Sequence, residues 1–131
     1  MKKWGILNSE LSAVVSQLGH TQHIVICDAG LPIPAGVKRI DLAVVPGLPS
    51  FLEVLEAVLL EMQAERVIYA EELKQAQPQL LSRIQSMFAD AAQDAVSHEQ
   101  FKQLSKDAVA IIRTGECSPY ANIILQSGVT F

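Results

Sequence analysis

Cysteine is scarce in this chain: Cys27 and Cys117 are its two thiols, and neither has the CxxC spacing of a zinc knuckle or redox pair. No disulfide framework is indicated, and both are expected to be reduced, Cys27 as part of the core. Positive charge is also short, with 10 basic against 14 acidic side chains and no Lys/Arg cluster. Nonspecific affinity for nucleic acid comes mainly from cationic neutralisation of phosphates, so DNA and RNA are not expected partners. No apolar run approaches the ~18 residues needed to cross a bilayer, which argues against a membrane span. The start, Met1-Lys2-Lys3-Trp4-Gly5, leads into Asn8-Ser9-Glu10 instead of a signal-peptide core, so a cytoplasmic location is expected. G-x-G-x-x-G, Walker-type and G-x-S-x-G patterns are absent, so nucleotide cofactors and serine acyl chemistry lack their usual machinery. The reaction, if there is one, is expected to need no cofactor and no metal.

Apolar residues, by contrast, make up 50% of the 131, while charged ones reach only 18%. That length fits one domain, residues 1–131, and no linker composition divides it. So apolar a chain with so much surface per unit volume is expected to cover part of that surface with another subunit.

Periodicity supplies the elements. Leu11, Val14, Val15 and Leu18 recur at helical spacing behind a Ser9 cap, with Gly19 suited to the end. The run His23-Ile24-Val25-Ile26-Cys27 reads as a buried strand that stops at Asp28-Ala29-Gly30. A second strand is expected over Arg39 to Val45, then a Ser50-capped helix carrying Phe51, Val54, Leu55, Val58, Leu59 and Met62. Arg66 to Ala70 reads as a third strand, and Pro78 opens a helix burying Leu81, Ile84, Met87, Phe88 and Ala91. Ser97-His98-Glu99-Gln100 has the form of a capping box. It starts a helix through Phe101 and Leu104 whose exposed N-terminus is a natural ligand site. Strands at Ala108 to Arg113 and Ala121 to Leu125 close the pattern. The alternation predicts an α/β fold: a single three-layer domain with a central, mostly parallel or mixed sheet flanked by helices.

Candidate chemistry rests on a few polar residues. His20 lies in a loop read as adjoining the carboxyl end of the strand that delivers Asp28, the usual ligand end of an open α/β sheet. An imidazole near pH 7 gives or takes a proton, and a neighbouring carboxylate fixes its tautomer. Equally, Asp28 caps the following turn and His20 extends a helix end; from spacing alone this plainer role weighs somewhat more. His20 and His23 have H-x-x-H spacing, but Gly19 is expected to end the helix before them and His23 to enter the strand, so the two need not share a face and a metal site is not expected. His98 sits in a capped first turn, where a plain surface role is the commoner one. Tyr120 and Asn122, two apart at a strand start, either present a hydroxyl and an amide to a polyhydroxylated ligand or close the loop.

Several stretches together carry a resemblance: Leu7-Asn8-Ser9, Leu18-Gly19-His20-Thr21, Asp28-Ala29-Gly30-Leu31-Pro32-Ile33-Pro34, Gly47-Leu48-Pro49-Ser50-Phe51, His98-Glu99-Gln100-Phe101-Lys102, and Ile112 through Phe131. From Lys2 to Phe131 the chain resembles the ribose pyranase and fucose mutarotase family. The resemblance implies a cytoplasmic, cofactor-independent isomerase that interconverts the pyranose and furanose rings of D-ribose. It also implies a ring-like homo-oligomer, pentamer or decamer, with the apolar end Ile123-Ile124-Leu125 through Val129-Thr130-Phe131 suited to such burial. By the same carry-over His20 is the proton donor, and Asp28, His98, Tyr120, Ala121 and Asn122 hold the sugar. The chain departs from the family pattern at Gln22, where an acidic residue is usual. Two further readings stand beside this one: a noncatalytic ribose-binding module that aids uptake, and a mutarotase acting on another sugar such as L-fucose.

Overall fold

A computed structural model describes all 131 residues. The first helix, α1 (Ser9–Gln17), is capped by Asn8 and not by Ser9: the Asn8 side chain accepts the Leu11 N–H at 2.9 Å. Asn8 is extended while its carbonyl already accepts the Ser12 N–H, so Ser9 becomes the first helical residue. Leu18, also extended, ends the helix before Gly19. Strand β1 (His23–Cys27) follows, then β2 (Lys38–Asp41), which is shorter than the expected run to Val45. Asp41 accepts the Ala43 N–H at 3.1 Å and turns the chain, leaving Val44 and Val45 exposed.

Helix α2 (Phe51–Leu59) carries a complete Ser50–Glu53 capping box, and its stripe Phe51, Val54, Leu55 and Val58 is buried. Then come β3 (Ala64–Ala70), the single turn α3 (Leu73–Ala76), α4 (Pro78–Met87), β4 (Ala92–Val96), α5 (His98–Ser105), β5 (Ala110–Arg113) and β6 (Ile123–Ser127). Two of these, α3 and β4, have no counterpart in the sequence reading.

The six strands lie in the order β2-β5-β1-β6-β3-β4. β1 and β2 both run parallel to β5, β3 runs parallel to β4, and β6 is antiparallel to both of its neighbours, β1 and β3. Five strands therefore point one way, and the amino end of β6 meets their carboxyl ends.

Alternation along β1 separates the two faces. Ile24 and Ile26 join Leu11, Val14, Phe51, Leu55, Ile84 and Phe88 in a core of 22 buried residues beneath α1, α2 and α4. Val25 and Cys27 pack with Leu31, Phe101, Ala108, Ile111 and Ile124 in a smaller core of 7 under α5. The three-layer α/β fold is thus the one anticipated. One detail differs: Ile123, Ile124 and Leu125 are buried within this chain's own core, because β6 lies inside the sheet. Of the apolar C-terminal stretch only Val129 and Phe131 face outward.

Candidate active site

Strand direction gathers most of the singled-out residues at one edge. Asp28 follows β1, Thr114 to Cys117 follow β5, Glu71 and Glu72 follow β3, Ser97 follows β4, and Tyr120-Ala121-Asn122 precede β6. All lie at the carboxyl ends of the parallel strands, where open α/β sheets receive ligands.

Asp28 is held from below by Asn122, which is fully buried. The Asn122 Oδ1 accepts the Asp28 backbone N–H at 2.8 Å, and its Nδ2 donates to Asp28 Oδ2 at 3.1 Å. Asp28 Oδ1 accepts the Gly30 N–H at 2.9 Å. The carboxylate is thereby fixed while staying half-exposed.

His98 is the first residue of α5. Its backbone N–H donates to both carboxylate oxygens of Glu72, at 3.1 and 3.0 Å, while Ser97 and Gln100 complete the capping box. The helix N-terminus expected to be open to a ligand is therefore already occupied by a carboxylate of the same chain. The imidazole and the Tyr120 ring form a T-shaped pair, with centroids 5.1 Å apart and planes at 84°. Its Nδ1 is buried without a hydrogen-bond partner. Such an orphan is costly unless something else supplies the bond.

Tyr120 has a positive φ of 63°, and the Asn122 N–H donates to its carbonyl at 2.8 Å. This tight turn precedes β6, so strand alternation does not govern it: Tyr120 is half-buried against the larger core and lines a cleft, Asn122 points down onto Asp28, and Ala121 is buried between them. Asp28, Gly30, Leu31, Pro32, His98, Pro119 and Tyr120 line a cleft of about 230 Å³. That is below the roughly 300–1,000 Å³ of drug-sized sites and suits a small molecule.

Beneath the cleft the loop after β5 is tied down. Thr114 Oγ1 donates to the Cys27 carbonyl at 2.8 Å, and the Ala29 N–H donates to the Glu116 carbonyl at 2.8 Å. Burial pushes the Glu116 carboxyl up, but hydrogen bonds from Ser118, Phe51 and Cys117 outweigh it and hold the group below its usual range. Burial first, then the neighbouring Asp28, push the Cys27 thiol up to about 12, against the pull of Arg113 and Arg39.

His20 is not part of this cluster. It precedes β1, so it stands at the amino end of the strand whose carboxyl end carries Asp28. Five residues at ~3.3 Å each separate the two ends by about 16 Å, which corrects the expected His20/Asp28 pairing within one chain. His20 Nε2 instead lies 2.9 Å from Glu65 Oε2. The hydrogen bond from His20, with a second from Gln126, holds the Glu65 carboxyl below its usual range. His23 is engaged elsewhere, with Nε2 3.4 Å from the Leu104 carbonyl.

The chain matches the family model described as the RbsD / FucU transport protein family over residues 1–130. The chain belongs to this family. It is 57% identical to a D-ribose pyranase of Laribacter hongkongensis, covering all of both chains. The fold is similar to that of Bacillus subtilis RbsD complexed with D-ribose, with a TM-score of 0.97, 50% identity and full coverage of both chains. A fucose mutarotase from Streptococcus pneumoniae in complex with L-fucose is similar at a TM-score of 0.78 and 26% identity, covering 95% of each chain.

For this RbsD / FucU chain, sequence reading overlooked Glu65, Glu72, Glu116 and Gln126. Each has a partner at least 26 positions away, and no spacing along the chain carries such pairings. Gln22, the departure from the family pattern, accepts the Gly19 N–H through Oε1 at 2.8 Å. The amide oxygen thus accepts at a place where a carboxylate would also accept.

Proposed function

We propose that this chain interconverts the pyranose and furanose forms of D-ribose by acid-base ring opening and reclosure, with His20 as proton donor. Asp28, His98 and Tyr120 hold the sugar in the cleft, with the Ala121 backbone and the Asn122 amide as its floor. The observation that carries this is the full-length match to ribose-bound Bacillus subtilis RbsD, whose fold superposes on a chain that keeps a small cleft lined by Asp28, His98 and Tyr120.

The chemistry asks little. A proton delivered to the ring oxygen lets the C1–O bond break as the anomeric hydroxyl loses its proton, leaving an open aldehyde. A different sugar hydroxyl then attacks C1, gives up its proton, and the carbonyl oxygen gains one, so no proton is consumed overall. Each positioned acid or base contributes roughly 10²–10⁴-fold to such steps. The unpartnered Nδ1 of His98 supplies a buried site for one sugar hydroxyl, and the Asp28 carboxylate accepts from another.

Because His20 and Asp28 mark opposite ends of β1, a site containing both draws them from two copies of the chain. Outward-facing Val44, Val45, Leu48, Val129 and Phe131 supply apolar surface for such contacts, in keeping with a ring-like homo-oligomer, pentamer or decamer. No helix is long and apolar enough to cross a membrane, and the proposed setting is the cytoplasm.

Magnetisation-exchange NMR on D-ribose tests the reading. The protein should accelerate pyranose-furanose exchange above the buffer rate, and His20→Ala should return it to that rate. Ribose binding without acceleration would instead identify a sugar-binding module, and faster exchange on L-fucose than on ribose would identify a mutarotase of another sugar.

A further inference from the structure

We infer that Glu65 is a positioning residue for His20: it receives the imidazole Nε2–H and so leaves Nδ1 as the nitrogen that meets the sugar. This rests on the proposed role of His20 as proton donor. A carboxylate has only acceptor atoms, so the nitrogen 2.9 Å from Glu65 Oε2 is the one that carries hydrogen. The other carboxylate oxygen, Oε1, accepts from Gln126 Nε2 at 2.9 Å, which fixes the carboxylate from its far side.

The three residues come from three places brought together only by the sheet: Glu65 from β3, Gln126 from its antiparallel neighbour β6, and His20 from the loop entering β1 on the other side of β6. Backbone bonds tie that loop to the same edge. The Thr21 N–H donates to the Ser127 carbonyl at 2.9 Å, and the Ser127 N–H donates to the Gln22 carbonyl at 2.8 Å. Thr21 takes a left-handed φ of 69°, the conformation that turns the chain between His20 and β1. Gly128 completes the arrangement, since a Cβ there would stand 2.9 Å from the Glu65 Cβ and push the carboxylate aside.

Such an arrangement suits a residue that must be aimed. The loop is exposed, and an imidazole on it would rotate among several positions without a partner. Held at Nε2, the ring has one free nitrogen and one orientation, and the ionised Glu65 faces the positive charge that appears when Nδ1 is protonated. Glu65 itself transfers no proton.

The test compares Glu65→Ala, Glu65→Gln and His20→Ala in the intact assembly by ribose exchange and by ¹⁵N spectra of the imidazoles. Glu65→Ala should lower kcat roughly 10- to 100-fold, a part of the roughly 10²–10⁴-fold that a positioned acid or base contributes, with KM within about twofold. Its neutral His20 should pass from a single Nε2–H tautomer to a mixture. Glu65→Gln, which keeps an acceptor oxygen but no charge, should retain the tautomer and fall between the wild type and Glu65→Ala in kcat. Wild-type kcat together with an unchanged tautomer in Glu65→Ala would overturn the inference. If His20→Ala keeps full activity, it is the role of His20 that fails, a result distinct from an active Glu65→Ala beside an inactive His20→Ala.

Discussion

Asn122 and Asp28 are bound to each other twice, amide oxygen to backbone N–H and amide nitrogen to carboxylate, across 94 positions of sequence. The buried amide thus sets both where the chain leaves β1 and where the Asp28 carboxylate points. Asn122→Ala leaves the Asp28 N–H without its acceptor and removes a donor from the carboxylate. An unsatisfied group of that kind costs about 1–3 kcal/mol. Urea unfolding should show a loss in that range, and ribose exchange should fall further than stability alone explains because Asp28 is no longer aimed.

The proposed function gives Tyr120 two roles that one substitution separates. Its ring forms a T-shaped pair with His98, and its hydroxyl is the only polar atom that the side chain brings to the cleft. Tyr120→Phe keeps the ring pair, so thermal stability should stay close to wild type. A hydrogen bond of about 0.5–1.5 kcal/mol to the sugar corresponds to roughly a 2- to 12-fold rise in KM. Tyr120→Ala also removes the ring pair, worth about 0.5–1.5 kcal/mol, together with the ring's packing on the larger core, and should destabilise by more than that. An unchanged KM in Tyr120→Phe would take the hydroxyl out of sugar binding.

Much of the fold could be read from the sequence because its central elements are strongly patterned. The run of buried residues in β1 and the apolar stripe of α2 announce themselves locally. β4 does not: Ala92-Gln93-Asp94-Ala95-Val96 is a polar edge strand with no fully buried residue, held by its pairing with β3 and by an Arg66–Asp94 ion pair. The site was legible in part for a related reason. Asp28, His98 and Tyr120 lie near element ends marked by turn and capping residues. The position of His20 relative to Asp28 depended on strand direction, and an expectation built on loop proximity set it at the wrong end. Glu65 and Gln126 sit inside strands, where nothing in the sequence separates a bracing polar residue from a solvated one.

A site shared between copies has a direct consequence for mixing experiments. His20→Ala and Asp28→Ala should each abolish ribose exchange as pure proteins. If each site draws His20 from one chain and Asp28 from its neighbour, random co-assembly of the two variants leaves about one quarter of the sites with both residues intact. Denaturing the variants together and refolding the mixture should therefore recover a substantial fraction of wild-type activity. Were each site contained within one chain, every site in the mixture would lack one residue and the mixture would stay inactive.

Cys27 should be chemically silent until the fold opens. It is fully buried at the end of β1, and burial, with Asp28 adding to it, moves its thiol from 9.0 to about 12. The thiolate is the reactive form, so iodoacetamide at pH 8 should leave Cys27 unmodified in the native protein and modify it after denaturation. Peptide mass spectrometry reads this directly, because Cys117 lies on a separate, exposed loop. The same shift couples folding to alkaline pH. The folded state keeps a proton that the unfolded chain releases above pH 9.0, so this contribution to stability is fully present below that value and is lost as the pH rises towards about 12. The slope is about 1.4 kcal/mol per pH unit for a single proton. Cys27→Ala, which has no thiol to titrate, should unfold with a shallower dependence on pH in that window. Equal slopes for the two proteins would show that the thiol is not held in its protonated form by the fold.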